Sequence, residues 1–168
     1  MAVHYRTQGF FIKKADRGED SRLFTVYTKN FGKLKILGRA IRKIGSKLKG
    51  GAEIFCLSEV EFIQGKAHKT LTDAISIENF SVIRKDLKKL KIVHQILEVL
   101  DDFISKEEKD DQVWHLLSET FDKLNNPQFK INHLPLVYYY FFWNFVSILG
   151  YKPEFHDCAI NKTKVDCD

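Results

Sequence analysis

The chain has 168 residues, of which 44% are hydrophobic and 29% charged, as is typical of a soluble globular protein with one or two small domains. Its net charge is +5, and its first residues contain no long apolar segment of the kind found in secretory signals. The most apolar segment, residues 134–149, is shorter than the roughly 20 residues of a membrane-spanning helix. We therefore expect a cytosolic protein.

Strand patterns fill the first half of the chain. Apolar and polar residues alternate, and short turns with glycine or asparagine separate the segments. The predicted strands are residues 7–14, 21–28, 33–38, 53–63 and 69–79. Five short strands, with one long connection after the third, predict a small closed barrel of the oligonucleotide-binding (OB) type.

The alternation also predicts which side chains face the barrel interior. In the third strand, Leu34 and Ile36 should face inward, while Lys33 and Lys35 should form a basic, solvent-exposed face. The inward-facing residues predicted for the fourth strand are Phe55, Leu57, Val60 and Phe62. The glycine-containing connection of residues 39–51 is expected to be a basic loop with one helical turn.

The second half of the chain changes to the 3.6-residue spacing of amphipathic helices. Apolar residues predict helices over residues 86–104 and 113–124, and Leu87 is counted in the apolar stripe of the first. An aromatic-rich helix over residues 135–149 follows, with Pro135 in its first turn. We expect an α+β protein, with an OB barrel over residues 1–80 and a helical domain over residues 81–168.

Positive charge is concentrated between residues 21 and 52, which contain nine Lys or Arg residues and no Asp or Glu. The rest of the chain has 18 basic and 22 acidic residues. A local positive field attracts polyanions, of which nucleic acid is the commonest. The candidates for phosphate contact are Lys33, Lys35, Arg39, Arg42, Lys43, Lys47 and Lys49. The alternative is a solvated basic face without a partner.

Aromatic residues suggest two further contacts. Tyr27 and Phe31 flank the basic segment and are candidate platforms for base stacking, although packing in the barrel or its turn is an equal alternative. The aromatic helix has more large side chains than a small core accepts. Most should be core, and Tyr139, Phe142 and Trp143 are the candidates for an apolar groove that binds a partner peptide.

No catalytic residue, cofactor or metal is predicted. Cys56 is expected to be a small buried residue. Cys158 and Cys167, near His156, do not have the two-to-four-residue spacing of zinc ligands. The histidines are scattered, and no glycine-rich phosphate-binding motif is present.

Residues 5–43, YRTQGFFIKKADRGEDSRLFTVYTKNFGKLKILGRAIRK, resemble the bacterial DNA repair protein RecO family. The Gly-Glu-Asp-Ser-Arg loop, the Thr-x-x-Phe-Gly-Lys turn and the Gly-Arg-Ala-x-Arg-Lys segment come in the family's order. Similar segments continue as LSEVEFIQGKAHKTLTDA, QILEVLDDFI and LGYKPEFHDC. The resemblance therefore covers nearly the whole chain.

The resemblance implies an OB barrel followed by a helical domain. It also implies binding to single- and double-stranded DNA, annealing of complementary strands and help in loading recombinase onto strands coated by single-stranded DNA-binding protein. RecR would be a partner, and the helical domain would receive the acidic, Phe-terminated tail of single-stranded DNA-binding protein.

The chain departs from the family at its end. Many members continue with two Cys-x-x-Cys pairs that sometimes hold zinc. Here Cys158 stands in the place of the first cysteine, but Asn161, three residues later, stands in the place of the second. No second pair follows before Asp168, and this region is short for the family. We therefore predict no zinc site in these residues.

These observations favour a non-enzymatic DNA-binding mediator of recombinational repair. One alternative is an RNA-binding OB module. The other is an interaction adaptor whose basic segment binds an acidic protein.

Overall fold

The computed structural model describes residues 3–43, 45–105, 107–129 and 134–152, and its strands precede its helices. The strands are β1 (His4–Arg17), β2 (Ser21–Thr28), β3 (Gly32–Gly38), β4 (Leu57–Gln64) and β5 (Lys69–Glu78). The helices are α1 (Ser81–Lys85), α2 (Leu87–Phe103), α3 (Asp111–Asn125) and α4 (Leu134–Ile148). A 3-10 turn at Lys47–Lys49 lies in the connection between β3 and β4, as predicted for the basic loop.

The strands close into a barrel in the order β1-β2-β3-β5-β4, with β4 pairing back to β1. All pairs are antiparallel except the short contact of β3 with β5, where Ile36 lies opposite Lys69. The first strand is long enough to pair with β4 through residues 4–10 and with β2 through residues 9–17. This is the strand order of the OB fold, and the predicted α+β architecture is confirmed.

Apolar side chains from all five strands fill the barrel. Leu34 and Ile36 are buried there and Lys35 is exposed, as the alternation predicted. Neighbouring residues on β1 divide between two cores, because successive side chains of a strand point to opposite faces. Phe11 packs inside the barrel against Phe24, with ring centroids 5.3 Å apart.

The fourth strand begins later than predicted, at Leu57 rather than at residue 53. Phe55 has a positive φ of 65°, so the chain turns there instead of extending. Val60 and Phe62 do face the barrel interior, but Phe55 and Leu57 pack against the helical core. Their predicted inward orientation in the barrel is therefore wrong.

A second core lies between the barrel and the helices. Phe10 on β1 faces this core, and its ring centroid lies 5.2 Å from that of Trp114 and 5.0 Å from that of Phe121, both on α3. Tyr27 on β2 stacks on Trp114 at 6.4 Å. The helices thus cover the outer face of β1 and β2, which is why both faces of β1 are apolar near Phe10.

The two long central helices begin at aspartate caps. The side chain of Asp86 accepts hydrogen bonds from the backbone N–H groups of Lys88 and Lys89, and Asp110 caps α3 in the same way. Both helices occupy the predicted segments. Leu87 is an exception to the predicted apolar stripe, because it is 83% exposed.

Lys89 is an unusual core residue, since its side chain is almost completely buried on α2. Its ammonium donates hydrogen bonds to the carbonyl oxygens of Leu124, at 2.7 Å, and Asn126, at 3.1 Å. Carbonyls at the end of a helix have no partner within the helix. Lys89 therefore joins α2 to the C-terminal end of α3.

The aromatic helix α4 is buried along one face only. Its buried residues are Leu134, Val137, Phe141, Phe145 and Val146. In the described residues, no helix combines the length and apolarity needed to cross a membrane.

Candidate nucleic-acid interface

Seven basic residues of the acid-free segment are exposed, and four of the predicted phosphate contacts among them make no ion pair within the described part of the chain. Lys35 lies on β3, Arg39 follows that strand, and Lys47 and Lys49 belong to the 3-10 turn. Their ammonium and guanidinium groups are therefore available to an external anion.

The start of the basic loop is tied to the turn between β1 and β2. The backbone N–H of Arg42 donates to the carbonyl oxygen of Asp20 at 3.1 Å. The Arg42 guanidinium lies 3.7 Å from the carboxylate of Asp16, and the Lys43 ammonium lies 3.7 Å from that of Asp20. Arg42 and Lys43 thus hold the loop in place, and their charge is partly compensated.

The end of the same loop is held against the barrel. The hydroxyl of Ser58 donates to the carbonyl oxygen of Gly51 at 2.6 Å, and Ala52 is buried. Gly51 lies directly on the backbone of Ala74, where a side chain would clash. Leu48 packs onto the barrel core from the middle of the loop. The basic side chains are therefore presented by an anchored loop.

Lys33 is placed differently from its predicted solvent-exposed position. Its side chain is only 12% exposed, and its ammonium lies 2.8 Å from the carboxylate of Asp101 near the end of α2. The same ammonium donates a hydrogen bond to the Asp101 carbonyl. The helical half covers this end of β3, so Lys33 contacts α2 and is not available to phosphate here.

Tyr27 cannot act as a stacking platform in this structure, because its ring is completely buried between barrel and helices. Burial, together with the charges of Asp110 and Asp111, raises the pKa of Tyr27. Phe31 is half-buried and packs edge-on against Tyr5 and Phe62 at 5.6 and 5.7 Å. Tyr27 therefore packs in the protein core and does not offer a surface for base stacking. Phe31 keeps part of its ring surface accessible.

Lysines of three strands form ion pairs with the helical half. Lys13 on β1 and Lys33 on β3 both bind Asp101, and Lys69 on β5 lies 2.7 Å from Glu107. The β2–β3 turn approaches the same region, where Gly32, with a φ of 65°, lies on the backbone of Glu108. The sequence contains no signal for these pairs, because their partners are separated by 38 to 88 residues.

Asp101 has a pKa below its ordinary value of 3.8. Burial acts in the opposite direction, but the hydrogen bonds and charges of Lys33 and Lys13 outweigh it. A carboxylate with a lowered pKa stabilises the folded state above its unfolded pKa, and this contribution is lost as the pH falls through the folded pKa. The ion pairs of Asp101 therefore stabilise the structure at neutral pH.

We expect the substitution Asp101→Asn to lower the melting temperature at pH 7, since two lysines lose their anionic partner. The difference from the wild type should shrink as the pH falls below about 4, because Asp101 of the unfolded chain is protonated first and the folded carboxylate only at a lower pH. Thermal melts from pH 3 to pH 7 test this, with Asp102→Asn at the exposed neighbouring position as the control. A difference that does not change with pH would show that charge at Asp101 is unimportant.

A groove runs between α2 and α4 and has a volume of about 540 Å³. It is lined by Lys88, Lys91, Ile92, Gln95, Leu134, Pro135, Tyr138 and Tyr139. Of the predicted partner-binding residues, Tyr139 lines this groove and Phe142 is half-buried against Tyr138 and Phe103. Trp143 follows Tyr139 by one turn of α4 but is not among the residues that line the groove. The basic residues Lys88 and Lys91 were not predicted, because they resemble ordinary solvent-exposed helix residues in the sequence.

The potential metal ligands of the described residues, His, Cys, Asp and Glu, form no metal site. Among residues 3–43, 45–105, 107–129 and 134–152, no group of three His, Cys, Asp or Glu side chains could hold a metal ion. Cys56 is buried, and its thiol donates to the side-chain oxygen of Asn79 at 2.9 Å. Cys158, Cys167, His156 and Asn161 lie outside the described residues.

Two family models match the chain. Residues 1–80 match the model described as Recombination protein O N terminal, and residues 84–167 match Recombination protein O C terminal. The first match contains the whole barrel and the basic loop. The second contains the described parts of α2, α3 and α4.

Curated relatives agree with these matches. A protein named DNA repair protein RecO from Dehalococcoides mccartyi is 30% identical over 155 residues, covering 92% of this chain and 60% of the relative. The protein of the same name from Trichodesmium erythraeum is 25% identical over 173 residues, covering 100% of this chain and 60% of the relative. The chain spans about 60% of the length of these relatives. Since both family models and these relatives match along nearly its full length, the chain belongs to the RecO family.

Proposed function

We propose that this protein is a non-enzymatic, DNA-binding mediator of recombinational repair. The observation that supports this most directly is the set of exposed cations on β3 and on the anchored loop that follows it. Lys35, Arg39, Lys47 and Lys49 carry no compensating carboxylate among the described residues. In a member of the RecO family, a basic surface of this kind on an OB barrel supports binding to single- and double-stranded DNA.

The proposed mechanism is electrostatic. Cations that neutralise phosphates release condensed counterions and lower the repulsion between two complementary strands. The protein would thereby promote annealing and assist recombinase loading on strands coated by single-stranded DNA-binding protein. It would act in the cytoplasm, at the nucleoid during repair.

Salt dependence of oligonucleotide binding tests this proposal. Four phosphate contacts should give a slope of about −3 in a plot of log K against log salt for single-stranded DNA. The measurement is fluorescence anisotropy with a labelled oligonucleotide at several salt concentrations. No detectable binding at low salt would contradict the proposal and favour an adaptor for an acidic protein. Preferential binding of RNA in a competition with DNA would favour an RNA-binding module.

The groove between α2 and α4 supports a second part of the proposal. Its apolar wall contains Leu134 and Tyr138, and Lys88 and Lys91 lie along its rim. An acidic peptide that ends in phenylalanine fits such a surface, with its ring in the apolar part and its carboxylates beside the lysines. We propose the tail of single-stranded DNA-binding protein as the ligand, and RecR as a further partner of the protein.

Reversing the two lysine charges tests the groove. We expect Lys88→Glu together with Lys91→Glu to weaken binding of the tail peptide at least tenfold, because the groove then repels its carboxylates. Removing the tail from the partner should abolish co-migration on a sizing column. The matched control is Lys85→Glu with Lys152→Glu, two exposed lysines that do not line the groove. Equal loss in both double variants would place the peptide elsewhere.

A further inference from the structure

One end of the barrel opens into a small pocket with aromatic walls. The rings of Tyr5 and Phe31 are nearly perpendicular, with centroids 5.6 Å apart, and Phe62 stacks on Tyr5 at 5.3 Å. All three residues line the pocket, which has a volume of about 220 Å³ and is called the aromatic pocket below. Pockets for drug-sized ligands measure roughly 300–1,000 Å³. The aromatic pocket is therefore of a size for a single ring system.

The rings at the entrance of the aromatic pocket are accessible from outside. Tyr5 and Phe31 are only half-buried, whereas Phe11 and Phe24 in the interior of the same barrel are completely buried. Accessible aromatic rings in proteins that bind single strands act as platforms on which bases stack. The entrance thus offers flat apolar surface that the folded chain does not use completely.

The charges that line the aromatic pocket compensate each other. Lys69 and Glu107 both belong to the lining, and their side chains form an ion pair at 2.7 Å. This balance favours an uncharged ring over a phosphate or a carboxylate as the occupant. Gln64 also lines the pocket, and amide and ammonium groups are among those that hydrogen-bond to the edges of bases.

Uncompensated positive charge lies in both turns beside the aromatic pocket. Lys29 precedes Phe31 by two residues in the turn between β2 and β3, and Lys66 follows Gln64 by two residues in the turn between β4 and β5. Both lysines are exposed, and neither has an ion pair with any described residue. A neutral aromatic pocket between two cations suits a base that is attached to a negatively charged backbone.

The strand register places the aromatic pocket next to the candidate nucleic-acid interface. Lys69, which lines the pocket, is paired with Ile36 on β3, and Lys35 is the residue before Ile36. Neighbouring strands lie about 4.8 Å apart. A strand of nucleic acid that contacts Lys35 therefore passes close to the pocket entrance.

We propose that the aromatic pocket binds one unstacked base of single-stranded DNA whose backbone lies on the exposed cations of β3 and the basic loop. This inference rests on the proposed DNA-binding function, and it adds a contact with a base to the contacts with phosphates. The bases of a duplex remain stacked and paired, so the pocket would contribute to the binding of single strands and not of duplexes.

The substitution Phe31→Leu tests the pocket, because it keeps an apolar side chain there but removes the flat ring. Binding of a labelled single-stranded oligonucleotide should weaken about tenfold, as expected for the loss of stacking on one base. The slope of log K against log salt and the affinity for duplex DNA should not change, since no phosphate contact is lost. Anisotropy titrations measure all three quantities, and thermal melts confirm that the variant is folded.

The matched control is Tyr151→Leu, since Tyr151 is an aromatic residue that is 72% exposed and does not line the pocket. This variant should bind single-stranded DNA as the wild type does. A loss equal to that of Phe31→Leu would overturn the proposal, because removal of any exposed ring would then have the same effect.

A strand of the same length without bases provides a second test that uses the wild-type protein. An oligonucleotide made of abasic sites keeps every phosphate but has nothing to place in the aromatic pocket. The wild type should bind it about tenfold more weakly than the normal strand. Phe31→Leu should distinguish the two strands much less, because the ring that recognises the base is gone.

The possible failures can be told apart. Equal binding of normal and abasic strands by the wild type would overturn the base contact and leave the electrostatic proposal intact. Unchanged DNA binding by Phe31→Leu, together with weaker binding of the acidic tail peptide, would overturn it in favour of a pocket for an aromatic side chain of a protein. No binding of either strand at low salt would contradict the proposed function itself, and the base contact with it.

Discussion

Replacing Arg39, Lys47 and Lys49 together with glutamate is expected to weaken binding of single-stranded DNA roughly a hundredfold at 0.1 M salt. Each lost phosphate contact removes about 0.7 from the salt slope, which corresponds to roughly fivefold in affinity at that salt concentration. The three positions are exposed and make no ion pair among the described residues, so the barrel should remain folded. Anisotropy titrations and thermal melts check both statements.

The control for this variant makes the same change in net charge at three lysines of the helical half. Lys85, Lys91 and Lys152 are exposed in the helical half, and their replacement by glutamate should lower affinity much less. Arg42 and Lys43 are left out of the test, because their contacts with Asp16 and Asp20 hold the loop. Equal losses in the two triple variants would mean that net charge, rather than the basic loop, governs binding.

Replacing Lys89 with methionine is expected to destabilise the protein by about 2 kcal/mol. The substitution keeps the length of the side chain but leaves the carbonyl of Leu124 without its charged donor. Removing a buried ammonium also removes its desolvation penalty, which offsets part of the loss. The melting temperature should fall by roughly 4–8 °C for a chain of this size.

Lys88→Met provides the matched control for Lys89, because Lys88 is the exposed neighbour on the same helix. Its effect should stay within about 0.5 kcal/mol. Urea denaturation of both variants measures the difference. If Lys89→Met were as stable as the wild type, the cost of burying the ammonium would equal the value of its two hydrogen bonds.

The strands could be predicted because their signal is local. Alternation placed Leu34 and Ile36 inside and Lys35 outside, and the structure agrees. The long connection was correctly predicted as a basic loop with one helical turn. Phe55 was wrongly predicted because its positive φ depends on how the chain enters β4, and a pattern of apolar residues does not report a turn of this kind.

The candidate site was predictable only in part, for a related reason. Tyr27 and Lys33 are paired neighbours on β2 and β3. Alternation predicted the outer face of the barrel for Lys33 and left packing or base stacking open for Tyr27. Whether that face meets water or protein depends on α2 and α3. Trp114 covers Tyr27, and Asp101 binds Lys33, from 87 and 68 residues further along the chain.

The barrel, the helices, the acid-free basic segment and membership of the RecO family can be recognised in the sequence, because they depend on residues close together in the chain. Which of the basic residues make ion pairs depends on the folded arrangement. It left Lys35, Arg39, Lys47 and Lys49 without an ion pair among the described residues, whereas Lys33, Arg42 and Lys43 contact carboxylates of the protein. Charge is a property of each residue, whereas its availability depends on which distant groups the fold brings within a few ångströms.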